Sequence, residues 1–466
     1  MQTAPVCHLP DDVLRKIFQH GADTNSGNNH LQFQKVASRV CSRFRSVALG
    51  DALLWSKVKY VPNEKNMFVK RCIELSKSAL LDIEILVRAG SSPPEYMPPN
   101  KPEYEEFFSL VNRECFRWRS IEITIPVNWL HICIPLYDRN ADTRCLVHIA
   151  LVGIQPVPSD SDESHVDLLS GAYPALREIK LAIPFPSWNW THHSVTRLEL
   201  GPFHTSRQDR RPPSYKSLFQ MLKSLESTLE YFALQGTLGD SPHEETTLGT
   251  LHFKSLRTLL FSMSGEDARR LLAVCSFERV QTVDLRLSLR LLSRERFHSI
   301  LHRPNAALFS TARHLGFEFF GMLYDGKDGI VEAAFPNITD LRLSPLMALD
   351  DGLIGFLTNA WPSISSLRLW EVELPRLRAL LEARRQRGHP RLRKVELETV
   401  RGSLLKSDFD RISSEVEELT IKTVREKTFP PSMGKLPKFG LGMLKSGTFE
   451  NLKPVNSMGL PRSRQL

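Results

Sequence analysis

The chain has 466 residues, 41% hydrophobic and 24% charged, a balance typical of a globular protein with more than one domain. No apolar run follows a basic start, and no apolar stretch is long enough to cross a membrane, so we expect neither a secretory signal nor a membrane span. The seven scattered cysteines include no C-x-x-C pair, which favours a reducing compartment, either the cytoplasm or the nucleus.

The net charge of +9 is unevenly distributed along the chain. Residues 1–60 carry +4 and residues 425–466 carry +6, which leaves the middle of the chain nearly neutral. Because the large central region lacks a basic surplus, nucleic-acid binding is not the expected function, and a basic C-terminal arm is its only candidate. That arm, beyond Arg425, is rich in Gly, Pro and Lys and is predicted to be mostly disordered.

The first predicted element is a helix that begins near Pro10. Proline suits the first turn of a helix, and Asp11 and Asp12 place negative charge where the helix dipole favours it. Gly21 is expected to end the helix, and residues 21–30 are predicted to form a polar loop. The predicted helix carries one apolar stripe, formed by Val13, Leu14, Ile17 and Phe18.

A second apolar stripe follows the loop. A segment of about sixty residues can hardly bury two such stripes within itself, so one face is predicted to remain for a partner. The alternative is a pair of ordinary surface helices that belong to a larger core. The second stripe consists of Val36, Val40, Phe44 and Val47, with Ala37, Cys41 and Ala48 beside it.

Three pieces of this segment resemble an F-box, in this order along the chain: Leu9-Pro10-Asp11-Asp12-Val13-Leu14, Val40-Cys41-Ser42-Arg43-Phe44-Arg45 and Leu54-Trp55. F-boxes are three-helix modules that dock on a Skp-type adaptor of a cullin–RING ubiquitin ligase. The resemblance implies that the adaptor is bound by Leu9, Pro10, Asp12, Val13, Leu14, Ile17, Phe18, Val40, Cys41, Phe44, Val47 and Trp55.

Further along the chain, the pattern Leu-x-x-Leu-x-Leu recurs, with other apolar residues allowed at the three positions. The third positions of the last six clear copies are 24 to 32 residues apart, which is close to the 20–29 residues of leucine-rich repeats. The clear copies begin at Leu176, Val195, Leu229, Leu256, Val280, Ala312, Ile338, Ile364, Leu392 and Val416. Three earlier candidates begin at Leu80, Trp118 and Leu146.

An aromatic residue or a histidine precedes the opening residue by three positions in eight copies. In four of them proline follows, which marks entry into a strand, and the ring is expected to fill the space between layers. Helices are predicted between copies, for example over residues 265–274 and 374–383. The eight residues are Tyr173, His192, Phe253, Phe277, Phe309, Phe335, Trp361 and His389.

The predicted fold is α/β: a small N-terminal three-helix F-box (residues 1–60), an irregular leucine-rich-repeat solenoid with a parallel inner sheet (61–424) and the basic tail (425–466). Polar linkers are predicted at 91–100, 156–164 and 206–214. The usual repeat asparagine is absent, so the curvature is expected to be uneven. This combination resembles F-box proteins of the fungal and plant type.

No nucleotide-binding loop, metal-ligand spacing or nucleophile motif is present, so we expect no enzyme, no cofactor, no metal and no small-molecule ligand. Residues between the repeat aliphatics are expected on the open face of the sheet. Arg342, Arg368 and Glu396 occupy equivalent positions there, and with Trp370 they are the predicted substrate-binding residues. Two stacked arginines need an acid between them, which either Glu396 or the substrate is expected to supply.

The sequence therefore predicts the substrate-recognition subunit of an SCF-type ubiquitin ligase. Its expected partners are a Skp-type adaptor, a cullin and a protein substrate, with no membrane. The alternative is a leucine-rich-repeat interaction scaffold that takes no part in ubiquitination.

Overall fold

The computed structural model describes most of the chain. Residues 91–100 and 156–164, nearly all of 206–214, and the tail beyond 425 lie outside the described residues, so the predictions made for them stay predictions. Contacts divide the chain into two units, Met1–Leu248 and Gly249–Leu466. The described residues are 9–24, 29–60, 66–86, 101–126, 132–133, 136, 138, 140–154, 169, 173–182, 194–203, 214–239, 249–288, 300–301, 307–318, 329–343, 349, 351–401 and 406–425.

The first unit begins with three helices, α1 (Asp11–Thr24), α2 (Asn29–Ala37) and α3 (Ser42–Gly50). A 3₁₀ turn at Ala52–Trp55 follows them, and we call residues 9–56 the helical module. The ring of Phe18 meets Phe44 edge-on at a centroid distance of 5.2 Å and Phe33 at 6.5 Å. One aromatic side chain of α1 therefore contacts both of the other helices.

Helix α1 is longer than predicted, because Gly21 lies inside it rather than at its end. A Cβ atom at Gly21 would lie 2.4 Å from Cζ of Phe33, so the absence of a side chain lets the Phe33 ring approach α1. Most of the predicted polar loop is therefore helical, with α2 beginning at Asn29.

The predicted second stripe is divided between two helices. The chain turns between α2 and α3, and Cys41 caps α3 by accepting a hydrogen bond from the Phe44 amide at 3.4 Å. Because the helical period does not continue through the turn, Val36 and Val40 are exposed, whereas Phe44 and Val47 are buried.

The end of the module is fixed by polar contacts. The indole Nε1 of Trp55 donates to the carbonyl oxygen of Ala48 at 2.7 Å. The Asp51 carboxylate accepts a hydrogen bond from the Leu53 amide and another, at 3.0 Å, from the side chain of Gln19. These contacts join the 3₁₀ turn to α1 and α3.

The rest of the first unit is a parallel sheet in which each strand pairs with the next one along the chain. Its first strand was not predicted from the sequence. The strands are β1 (Lys57–Tyr60), β2 (Leu81–Leu86), β3 (Trp118–Pro126), β4 (His148–Ile154), β5 (Glu178–Ala182), β6 (Arg197–Phe203) and β7 (Tyr231–Gly236). The connecting helices described are α4 (Met67–Ser76), α5 (Lys101–Asn112) and α6 (Tyr215–Leu225), with a 3₁₀ turn at Cys115–Arg117.

The second unit repeats this arrangement. Seven of its strands pair in parallel in chain order: β9 (Thr258–Ser264), β11 (Thr282–Ser288), β12 (His314–Glu318), β13 (Asp340–Leu343), β14 (Ser366–Leu369), β15 (Leu392–Leu397) and β17 (Val416–Ile421). Two further parallel pairs join β8 (Leu251–Phe253) to β10 (Cys275–Phe277) and β16 (Val400–Arg401) to β18 (Val424–Arg425). The helices are α7 (Gly265–Val274), α8 (Ile330–Ala334), α9 (Asp351–Asn359), α10 (Leu374–Gln386) and α11 (Lys406–Glu415).

The second and third residues of every predicted aliphatic triplet lie in one of these strands, so the prediction of an α/β fold with a parallel sheet is confirmed. Equivalent positions are in register, as shown by the pairs of Leu341 with Leu367 and of Leu367 with Val395. One assignment was wrong: Leu80 is exposed, and the buried Leu81 takes its place, because the register shifts between β2 and β3 at this point.

The residues that precede the triplets form a ladder of rings. Phe253, Phe277, Phe309 and Phe335 are stacked in succession, with centroid distances of 5.8, 5.1 and 4.8 Å. The next residue of the series, Trp361, donates its indole N–H to the Phe335 carbonyl oxygen at 2.8 Å. The rings therefore fill the space between layers, as predicted, although His192 lies outside the described residues.

Helix α7 has the predicted bounds, and its beginning shows what replaces the missing asparagine in one repeat. Ser264 accepts a hydrogen bond from the amide of Asp267 at 3.1 Å and donates to its carboxylate at 2.7 Å. This reciprocal cap starts the helix directly at the end of β9. Among the described helices, none has both the length and the hydrophobicity required to span a bilayer.

Candidate functional site

The predicted adaptor-binding residues fall into two groups in the structure. Five have buried side chains, and they form the interior of the helical module: Leu14, Phe18, Phe44, Val47 and Trp55. The prediction that these five bind the adaptor stays a prediction; in the structure their side chains pack inside the module.

The other predicted residues are accessible. Pro10, Asp12, Val13, Ile17 and Val40 are exposed, and Leu9 and Cys41 are partly exposed. Val13 and Ile17 are one turn apart on α1 and lie beside the buried stripe rather than within it.

The helical module concentrates exposed apolar side chains. Eight large apolar residues are exposed among the described residues, and five of them belong to the module. We call these five, which are 39–59% exposed, the apolar set: Val13, Ile17, Val36, Val40 and Leu53. Such a concentration on a small module is typical of a surface that a partner covers.

Arg43 joins the two sequence motifs of the module. Its guanidinium donates to the carbonyl oxygen of Leu9, and its Nη2 lies 2.8 Å from Oδ1 of Asp11. The beginning of α1 is thereby fixed to the first turn of α3. The motifs are about thirty residues apart in sequence and meet at one end of the module.

In the second unit, the predicted substrate-binding residues occupy neighbouring strands. Arg342 on β13 is in register with Arg368 on β14, which is in register with Glu396 on β15. The acid that Arg368 binds most closely is Glu398, with 2.6 Å between Nε and Oε1, whereas Glu396 lies 3.9 Å from Nη2. Lys422 contacts both carboxylates, at 2.8 and 2.9 Å.

The chain itself therefore balances these charges. Burial alone would raise the pKa of the Glu398 carboxyl, but hydrogen bonds from Lys422 and Arg368 outweigh it, and the pKa lies below its usual range. Hydrogen bonds to Glu396 and Glu398 raise the pKa of Lys422. Trp370 is half-buried at the end of β14, and its amide donates to the Leu343 carbonyl oxygen at 3.2 Å.

Arg342 reaches a different acid. Its Nη1 lies 3.9 Å from Oδ2 of Asp284, two strands away. The residue between them in register is Gly316, where a Cβ atom would lie 2.8 Å from the Asp284 carboxylate. The glycine leaves the space through which Asp284 extends toward Arg342.

A groove on the open face of the first unit was not predicted. It has a volume of about 480 Å³, and its floor includes Ala150 and Val152 of β4. We call it the Ala150 groove. Polar and charged side chains surround the floor: Glu122, His148, Glu178, Lys180, Arg197 and Glu199.

The strand register explains the groove. Glu122, Ala150, Lys180 and Glu199 are in register on four successive strands, so a methyl group lies where its neighbours carry long side chains. Adjacent strands are about 4.8 Å apart, so the gap from β3 to β5 spans roughly 10 Å. The sequence shows that these residues lie between the repeat aliphatics and therefore on the open face. It does not show the strand register that aligns them with one another.

Comparisons with known proteins do not identify the chain: neither the protein-family models nor the curated proteins include a match. A functional assignment therefore depends on the residues themselves and on their geometry.

Proposed function

We propose that this protein is the substrate-recognition subunit of an SCF-type cullin–RING ubiquitin ligase. In this proposal the helical module is an F-box that docks on a Skp-type adaptor, and the repeat strands bind the protein to be ubiquitinated. The chemistry of ubiquitin transfer then takes place on other subunits.

The observation that carries the proposal is the division of the motif residues into an interior and an exposed set. Leu14, Phe18 and Phe44 give the module its own core, while Val13 and Ile17 remain in water. Covering an apolar side chain of this size yields about 1–2 kcal/mol, so a partner that covers several gains substantial affinity. The carbonyl oxygen of Leu9, which begins the motif, accepts a hydrogen bond from Arg43 on α3.

The experiment is reconstitution of the full chain with purified Skp-type adaptor and cullin. We expect the wild-type protein to bring down both, and Leu9→Ala with Pro10→Ala to lose the adaptor while its thermal unfolding curve stays unchanged. A wild-type protein that binds no adaptor contradicts the proposal. Capture of the adaptor without cullin supports the scaffold alternative instead.

A further inference from the structure

The two basic residues of the Ala150 groove are already held by the protein. Nε of Arg197 donates to Glu199 at 3.1 Å, and Nζ of Lys180 lies 3.6 Å from the same carboxylate. The Arg197 guanidinium also lies over the Tyr231 ring, 3.6 Å from its centroid, which is a favourable cation–π position. The basic side of the groove is therefore preorganised, with two cations sharing the Glu199 carboxylate.

On the acidic side a histidine lies between two carboxylates, and Arg197 interacts electrostatically with one of them, Glu178. Glu122 and Glu178 flank His148, with Oε1 of Glu122 3.6 Å from Nε2 and Oε2 of Glu178 3.1 Å from Nδ1. Among the described residues, no lysine or arginine nitrogen lies within 4 Å of either carboxylate. One imidazole offers at most two N–H donors, so acceptor capacity remains on the two carboxylates, whose side chains are about half exposed.

Beside His148 on the same strand, the floor of the groove is apolar. Ala150 and Val152 offer methyl groups, and Glu122 closes one side of the floor. Such a floor suits the aliphatic stem of a lysine or arginine, whose charged head then reaches polar groups at the edge. In the second unit, by contrast, the carboxylates of Glu396 and Glu398 are bound by Arg368 and Lys422.

We propose that the Ala150 groove binds a substrate segment that presents an arginine or a lysine. The stem of that residue lies over Ala150 and Val152, and its cationic head is bound by Glu122 and Glu178. The inference deepens the proposed function, since it assigns a substrate class to the repeat surface. A phosphorylated or acidic segment fits less well, because the groove's own cations are bound to Glu199.

The test uses the full chain in complex with its adaptor and five peptide libraries as probes. Each library has ten-residue peptides with arginine, lysine, glutamine, glutamate or phosphoserine fixed at the centre and uncharged residues elsewhere. We expect the arginine and lysine libraries to be retained at least about tenfold more than the glutamine library.

Two variants should remove this selectivity. Glu122→Gln with Glu178→Gln deletes both acceptor charges, and Ala150→Gln fills the floor. The matched control is Glu417→Gln with Glu418→Gln, which removes the same charge from exposed positions of β17 and should leave retention unchanged. Melting curves show whether each variant is folded. If Ala150→Gln proves to be unfolded, the test depends on Glu122→Gln with Glu178→Gln alone.

Equal retention of the five libraries overturns the inference, as does preference for the glutamate or phosphoserine library, or unchanged selectivity in the double variant. Adaptor capture is measured on the same samples. If the adaptor is captured but the selectivity is absent, only this inference fails. If no adaptor is captured by the wild type, the proposed function fails, whatever the peptides show.

Discussion

In the helical module, Val13, Ile17, Val36, Val40 and Leu53 are exposed, whereas every residue of the strand triplets in the second unit is buried. Across the described part of residues 249–466, no large apolar side chain is exposed. The second unit places charged residues on its surface and pairs them with one another, as Arg368, Glu398 and Lys422 show. The two regions thus differ in apolar exposure: the module leaves large apolar side chains in water, and the described part of the second unit does not.

The comparison predicts the largest loss of stability for a charge placed in the repeat core. Leu341→Asp puts a carboxylate among the buried residues of β13, and we expect it to lower the free energy of unfolding by about 4 kcal/mol or more. Arg342→Asp is the matched control one residue along the strand and should cost less than about 1 kcal/mol. Denaturant titration of both variants checks this, and equal losses would mean that the two faces of the strand are wrongly assigned.

A smaller loss of stability is expected when a buried arginine that binds main-chain carbonyl groups is removed. Arg384 on α10 donates to four carbonyl oxygens, those of Leu357, Trp361, Pro362 and Ile364, at 3.2 to 3.4 Å. Burial lowers the pKa of this guanidinium, which has no carboxylate partner among the described residues.

Arg384→Ala leaves those buried oxygens unsatisfied, so we expect a loss of about 2–3 kcal/mol in the free energy of unfolding. The neighbouring Arg385, exposed and paired with Glu382 one turn away, is the control, and Arg385→Ala should change stability by no more than about 0.5 kcal/mol. Similar losses in the two variants would show that the carbonyl contacts of Arg384 carry no stability.

The charged surface of the second unit should contribute less still, and in a pH-dependent way. Because the pKa of Glu398 is lowered on folding, its carboxylate stabilises the protein above its unfolded pKa, about 4.3, and this contribution is lost as the pH falls through the folded value. We expect Glu398→Gln to cost about 1 kcal/mol at neutral pH and nearly nothing in acid. The control is Glu417→Gln, at an exposed position, which should show no such pH dependence in unfolding titrations. A pH-independent cost for Glu398→Gln would contradict a stabilising role for the ion pairs of Glu398 with Arg368 and Lys422.

These contrasts also show what the sequence could reveal. The strand triplets and the ring ladder were predictable because each recurs along the sequence at a regular spacing, and the residues at that spacing are buried. The acid that binds Arg368 was not, since Glu398 follows the last triplet residue of β15 and reaches back from the strand end. The Ala150 groove was missed for a related reason: Glu122, His148 and Glu178 come from three strands, and only their register brings them together.

In the module, a turn limited what the periodicity could predict. In the sequence, Val36 and Val40 continue one apolar stripe with Phe44, but the turn before α3 separates them and leaves both exposed. The exposure that suggests a docking surface was therefore not visible in the periodicity. The motif residues Leu9 and Arg43 were visible in the sequence, although the hydrogen bond between them was not.

The most direct test of the account is the adaptor affinity of Val13→Ser with Ile17→Ser, measured by calorimetric titration against the Skp-type adaptor. Both side chains are already exposed, so we expect the free energy of unfolding to change by less than about 0.5 kcal/mol. Losing their burial in the complex should weaken binding roughly 30- to 100-fold.

The control is Met67→Ser, which removes a 76% exposed apolar side chain outside the module and should leave the adaptor affinity unchanged. A double variant that loses affinity while the control keeps it is the result that the account predicts. An unchanged affinity in the double variant, or an equal loss in the control, would contradict the assignment of the module as the adaptor-docking element.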